Sequence, residues 1–391
     1  MVEPMLDGQM RIKNGCVLLS LAIVFFSACS GPTIAPESKT LSTEELLRAE
    51  PLTGPTDVPE LDNIDILTLD QDMLAFLDEN IDRDHGYYLK MHELIYAIIS
   101  EGSFGLEYDE TTRTAEGTFH ARQGNCLSFT NMFVAMAREV GIDATFQEVE
   151  IPPSWSLEGD TYTLSRHINI FIDLGAGYSR EVDFNIDDFQ GSYERRLITD
   201  ERALAHFYSN IGAEHLHRNE PLDALRFFRK AIDSDPKFAL AWSNLGALYS
   251  EEGHFGYAEA AYVRALRINP QELVAMSNLG QLYEYTGKED LADWYNEQSD
   301  RHRKRNPYYR YDLAQSAFVA SDYETAIKHL KYSVRKAKHE DSFYFLLGLS
   351  YLQLGDEAAA RKWLEKAELM ARDDGLKSNY HSKMEKLLGA R

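Results

Sequence analysis

Small residues return every 34 positions through the second half of the chain, at Gly212, Gly246, Gly280 and Gly348, with Ala314 in the remaining slot. Two lattices of the same period run alongside: Ala224, Ala258, Ala292, Ala326 and Ala360, then Ala231, Ala265, Ser299, Ser333 and Ala367. Ile211, Leu245, Leu279, Leu313 and Leu347 sit just before the first lattice. A unit this short cannot bury an apolar face alone, so it must stack on copies of itself. The small residues let two helices approach closely, and the large apolar ones fill the space that remains. Pro236 and Pro270 stand at unit boundaries, where a helix has to stop. Residues 201–391 are therefore expected to form an all-α solenoid of stacked units.

The residues on these lattices, Asn244-Leu245-Gly246 with Tyr249 and Asn278-Leu279-Gly280 with Tyr283, resemble the tetratricopeptide repeat. The resemblance implies five helix pairs from about residue 205 to 374, closed by a solvating helix that runs to Arg391. It also implies a protein or peptide partner, because such arrays are interaction surfaces. Trp242, Tyr249, Tyr262 and Tyr283 fall at packing positions of the repeat rather than on its groove. Repeats three and four depart from the pattern. Lys304 takes the place of the junction proline, which reappears at Pro307, and Ala317 replaces an aromatic residue. The second helix of repeat three is expected to run on and bend the superhelix there.

At the other end of the chain, Arg11 and Lys13 precede an apolar run over residues 16–26. It has the length of a signal-peptide core and is short for a bilayer span. Phe26-Ser27-Ala28-Cys29 follows and resembles a lipobox, with Phe26 in place of the more usual Leu. Residues 1–28 are read as a lipoprotein signal peptide and Cys29 as the lipidated first residue of the mature chain; Met10 is an alternative start. A plain cleaved signal or an anchor helix is the competing reading. In an enterobacterial-type envelope, Ser30 would send the lipoprotein to the outer membrane, facing the periplasm. Residues 29–63 are rich in Pro, Thr, Glu and Gly and read as a tether with one short helix near residues 42–50.

A formal net charge of -23 argues against a nucleic-acid partner, since polyphosphate binding needs concentrated Lys and Arg. Residues 57–84 carry ten carboxylates against Arg83 alone, read as a solvated acidic face, with an acidic docking surface as the alternative. No nucleotide-binding glycine loop or zinc-type ligand spacing appears, so neither cofactor nor metal is expected.

Of three cysteines, Cys16 leaves with the signal and Cys29 is consumed by lipid, which leaves Cys126. A lone thiol in an oxidising compartment is either an inert buried side chain or a nucleophile. Gly124-Asn125 suits a helix start, the apolar spacing from Leu127 to Val140 suits a buried helix, and Gly141 suits its stop. Cys126 at the positive end of that helix is expected to have a lowered pKa. Further on, Ile168, Ile170 and Ile172 alternate with His167, Asn169 and Phe171, as in a strand with one buried face. A second alternating run over residues 178–184 makes a hairpin. With its loop centred on Gly175, His167 is expected directly opposite Asp183, where opposed Cβ atoms are roughly 5 Å apart. A loop of even length would send Asp183 to the other face.

Cys, His and Asp in this order, with the Gly-Asn-Cys helix start and Arg138-Glu139-Val140-Gly141-Ile142 at its end, resemble the transglutaminase-like superfamily over roughly residues 106–185. The resemblance implies an α+β, papain-like domain over residues 64–200, with two helices expected near 64–81 and 86–100. It implies Cys126 as acyl-accepting nucleophile, His167 as general base and then acid, and Asp183 as the residue that orients it. Asn169 stands where the family often has Trp. The Cys126 backbone N–H, Gln123 and Trp155 are the candidate oxyanion donors. His120 is the alternative partner for Cys126. Two functions follow: a thiol acyltransferase, peptidase or amidase whose repeats recruit a protein or peptide, or a non-catalytic scaffold lipoprotein.

Overall fold

Residues 41–54, 58–99, 104–150, 167–175, 178–184, 194–371 and 374–389 are described by a computed structural model. Residues 1–28, read above as a signal peptide, and Cys29 and Trp155 lie outside them. No helix among the described residues is long and apolar enough to cross a membrane.

The chain begins with α1 (Thr43–Arg48) and α2 (Glu50–Thr53), joined at Ala49 in the left-handed conformation. Ser42 and Glu45 close a capping box at the start of α1. Here the tether reading needs correction. Leu46 and Ala49 are fully buried, the Leu46 carbonyl accepts from the Tyr249 hydroxyl, and the Arg48 carbonyl accepts from Arg229 Nη2 at 2.6 Å. Residues 41–53 are a strap docked on the repeats; two apolar side chains and two carbonyls with partners outweigh the freedom of a Pro- and Gly-rich stretch.

The helix expected from residue 64 starts later, as α3 (Gln71–Asn80), where Asp70 accepts from Met73 N at 2.9 Å. Residues 64–66 instead cross the domain: Ile64 N donates to the Tyr208 hydroxyl and the Ile66 carbonyl accepts from Ala115 N, both at 2.9 Å. α4 (Tyr87–Ile99) follows as expected. Next come β1 (Glu107–Tyr108), α5 (Ala115–Ala121), β2 (Gln123–Gly124) and α6 (Cys126–Glu139), with β1 and β2 paired in parallel. α6 is buried along nearly its whole length and packs on a sheet of β3 (Ala144–Glu150), β4 (His167–Gly175), β5 (Tyr178–Val182) and β6 (Glu194–Leu197). That sheet is antiparallel in the order β5-β4-β3-β6, with Ile168, Ile170, Ile172 and Phe146 in the core.

Five helix pairs come next: α7 (Asp200–His217) with α8 (Pro221–Ser234), α9 (Ala239–Glu251) with α10 (Phe255–Ile268), α11 (Leu273–Tyr285) with α12 (Glu289–Arg305), α13 (Pro307–Val319) with α14 (Tyr323–Lys336), and α15 (Asp341–Gln353) with α16 (Glu357–Met370). α17 (Asp374–Gly389) covers the last pair. The glycine lattice has a steric cause. A Cβ at Gly212 or Gly246 would stand 2.6 Å from the ring of Phe228 or Tyr262 on the second helix of the same repeat. As expected, α12 runs on without a proline at position 304, to 17 residues against 14 in α8 and α10. Asn306 then caps α13. One continuous core joins α1, the sheet domain and repeats one to three, as far as Tyr295; repeats four and five with α17 hold a second one, from Tyr308 to Tyr380.

Candidate active site

Cys126 opens α6 because its neighbours cap the helix. Asn125 is extended, its Oδ1 accepts from Ser128 N at 3.0 Å, and its Nδ2 donates to Thr112 Oγ1 at 2.8 Å. Ser128 Oγ accepts from Arg113 N at 2.8 Å and donates to the Thr111 carbonyl at 3.1 Å, which stitches the preceding loop to the helix. Thr130 Oγ1 lies 2.8 Å from the Cys126 carbonyl and 3.2 Å from that of Ile168. Its one proton is shared between the first turn of α6 and the strand residue beside His167.

The thiol does not behave as its helix position predicts. Burial, then the Asp183 carboxylate, push Cys126 up to about 12, while its own backbone N–H pulls the other way. Loss of water around the sulfur outweighs the helix start, so the resting group at neutral pH is the neutral thiol.

His167 and Asp183 do meet, but not in the expected register. Phe171 pairs with Glu181 and Ile170 with Val182, so Asp183 falls across from Asn169 and diagonal to His167. Gly175 pairs with Tyr178, leaving an even loop of two residues, and a bulge between Asp173 and Gly175 adds the residue that restores parity. The two-residue offset keeps Asp183 on the face of His167, and His167 Nε2 donates to Asp183 Oδ2 at 2.7 Å. Both side chains are buried. That bond fixes the imidazole tautomer with Nδ1 as the basic nitrogen. Asn169 Nδ2 also donates to Asp183 Oδ2, at 3.2 Å. This second tie to the carboxylate was not foreseen, although the period-two alternation already put Asn169 on the face of His167.

Tyr108 stacks on Phe184 with ring centres 6.3 Å apart, and Phe184 meets Phe129 at 5.3 Å. Burial, and then Cys126, raise the half-exposed Tyr108 phenol. Gln123 is exposed, with Nε2 3.5 Å from Glu107 Oε2. His120 is not a partner of Cys126: its Nε2 is held by Asp70, which raises the imidazole above its ordinary value. Among the described residues the possible metal-ligand group is Asp70, Asp72 and His120, with Cys126 and His167 outside it. A cleft of about 260 Å³ beside Lys237 and Glu272 of the repeats is lined by Glu148, Glu150 and Arg196, on the sheet face opposite His167.

A family model described as the transglutaminase-like superfamily matches residues 76–160, and two tetratricopeptide-repeat models match residues 227–260 and 311–375. The chain thus carries an α+β transglutaminase-like domain followed by an all-α tetratricopeptide-repeat region. No curated protein matches it. Among solved structures, a chain of the APC/C hetero-tetramer Cut9-Hcn1 is 26% identical over 48% of this chain and 36% of that one, with a TM-score of 0.25. The match thus spans little more than a third of that chain's length. YrrB, described as a TPR protein with an unusual peptide-binding site, is 20% identical over 46% of this chain and 91% of its own, with a TM-score of 0.24. PilF of Pseudomonas aeruginosa is 18% identical over 46% and 82%, with a TM-score of 0.25.

Proposed function

We propose that this protein is an envelope lipoprotein, anchored through Cys29, whose transglutaminase-like domain carries out thiol acyl transfer or amide hydrolysis on a protein or peptide recruited by the repeats. The observation that carries the reading is the buried His167 Nε2–Asp183 Oδ2 bond at 2.7 Å, with the Asp183 charge acting on the Cys126 sulfur. Because the resting thiol is neutral, His167 Nδ1 takes its proton as the sulfur attacks the amide carbonyl carbon. The tetrahedral intermediate expels the amine, which leaves with that proton, and a Cys126 thioester remains. Water or a second amine then attacks the thioester, again with His167 as base; the carbon–sulfur bond breaks, and the Cys126 thiolate leaves and takes the proton back from the imidazolium. Asp183 stabilises the imidazolium formed in each half, and Asn169 holds Asp183 in place. The Cys126 backbone N–H is the donor we assign to the oxyanion.

The same raised thiol favours the rival reading, a scaffold whose Cys126 is inert. Iodoacetamide alkylation of Cys126 from acid to alkaline pH, in the wild type and His167→Ala, separates the two. The enzyme reading expects alkylation at neutral pH at least about tenfold faster in the wild type, since an unassisted thiol reacts only near its own pKa. Equal, slow rates in two folded proteins would refute it.

A further inference from the structure

Residues 301–338 hold ten Lys and Arg against three Asp and Glu, in a chain whose net charge is -23. The structure gathers these cations at the end of α12 and along α14. Lys328, Lys331 and Arg335 share one exposed stripe of α14, while Ile327, Leu330 and Val334 fill the core behind it. Arg305, Arg310 and these three have no carboxylate within ion-pair distance among the described residues.

What holds them is neutral. The Arg310 and Arg335 guanidinium groups both lie over the Tyr332 ring, at 5.2 and 5.4 Å. Arg310 Nε donates to the Lys304 carbonyl at 2.8 Å and its Nη1 to His329 Nδ1 at 3.1 Å. The Tyr332 hydroxyl donates to the Arg305 carbonyl at 3.1 Å. Burial first, and then Arg310 and Lys328, lower the His329 imidazole, a sign that the cations repel a further charge. Like charges held together by a ring and by carbonyls, with no counter-charge of their own, leave an electrostatic demand that an external anion meets.

The position of the stripe narrows the class of anion. α14 is the second helix of its repeat, and the N-terminal strap rests on the second helices α8 and α10. Twelve residues lie between Cys29 and Ser42, which puts the two at most about 45 Å apart. With the anchoring proposed above, on which this step rests, lipid lies within that reach of the strap. A row of exposed cations on an outward helix face suits an extended anionic surface, and one acyl anchor plus a basic patch is a known pairing of membrane signals.

We propose that the cationic stripe of α14, with the end of α12, docks this protein on the anionic phospholipid headgroups of a membrane. The test is vesicle flotation of the chain from Ser30 onward, which keeps the compact unit Thr33–Arg391 whole and carries no acyl group. It is expected to float with phosphatidylcholine vesicles containing phosphatidylglycerol, not with phosphatidylcholine alone, and to be released by salt. Lys328→Gln, Lys331→Gln and Arg335→Gln together should weaken binding on the order of 100-fold, at about fivefold per cation. Lys366→Gln, Lys377→Gln and Lys386→Gln together, with the same change in net charge, should leave it intact. Equal binding to both vesicles, or equal loss in the two triple variants, overturns the proposal. So does release by inorganic phosphate at unchanged ionic strength, which marks a small-anion site, or preference for polyglutamate over vesicles, which marks an acidic protein partner. None of these readouts involves Cys126 or acylation at Cys29, so failure here and failure of the catalytic reading are separate results.

Discussion

Gly124→Ala adds a methyl carbon 2.5 Å from Ser128 Cβ and 3.1 Å from Ser128 Oγ. Non-bonded carbons rest at about 3.5–4.0 Å, so roughly 1 Å must be found. No rotamer supplies it, because Ser128 Cβ is fixed to the backbone of the first turn of α6. The helix start has to shift or Gly124 has to retreat from β1, where its carbonyl accepts from Asp109 N at 3.2 Å. Overpacking of this kind costs about 1–3 kcal/mol. The shift also strains the Ser128 bonds to Arg113 N and the Thr111 carbonyl, worth about 1 kcal/mol each. The expected loss is about 3–5 kcal/mol. Urea titration should lower the midpoint of the transglutaminase-like core without changing the slope. Ser128→Gly removes the clashing carbon at a cost of its own of about 2–3 kcal/mol, from two hydrogen bonds and a helical glycine. The double variant should then cost little more than Ser128→Gly alone, a coupling close to the full cost of Gly124→Ala, about 3–5 kcal/mol. Strictly additive losses, or a Gly124→Ala protein within about 0.5 kcal/mol of wild type, would show that the contact does not set the geometry of the Cys126 helix.

Three further outcomes are expected. Asp183→Asn removes the charge that helps hold the Cys126 thiol up, so alkylation at alkaline pH should rise while any turnover dependent on His167 falls; a parallel change in both would contradict the site geometry. Leu46→Ala, at a fully buried position, forfeits up to about 2–5 kcal/mol of strap docking, and trypsin should then cut after Arg48 at least tenfold faster; unchanged protection would mean the strap is held elsewhere. The Asp312 carboxyl is pushed up to about 6 by burial alone. A carboxyl whose folded pKa is raised contributes stability that is full below its unfolded value and lost as pH rises through the folded one. Asp312→Asn should therefore raise the melting temperature above about pH 7 and change little below about pH 4, and a uniform shift at both would rule out this ionisation as the cause.

Much of this protein was legible before any coordinates. Three glycine slots answer a bulky residue sixteen places on, Gly212 to Phe228, Gly246 to Tyr262 and Gly348 to Leu364, so the solenoid repeats its constraint in the sequence. The start of α6 was legible too, since Asn125 and Ser128 cap it within four residues. The face shared by His167 and Asp183 followed from alternation, but its register came from a bulge at residue 174 that no local pattern announces. Tertiary packing alone decided the rest. The strap is held by Tyr249, 203 residues away from Leu46. The thiol rises because other elements remove its water, and Arg310 and Arg335 meet over Tyr332 only once α13 and α14 have folded together. Capping, periodicity and repeat packing act over a turn or one unit and leave their mark in sequence order; burial, register and charge clustering join segments far apart in the chain and exist only once it has closed on itself.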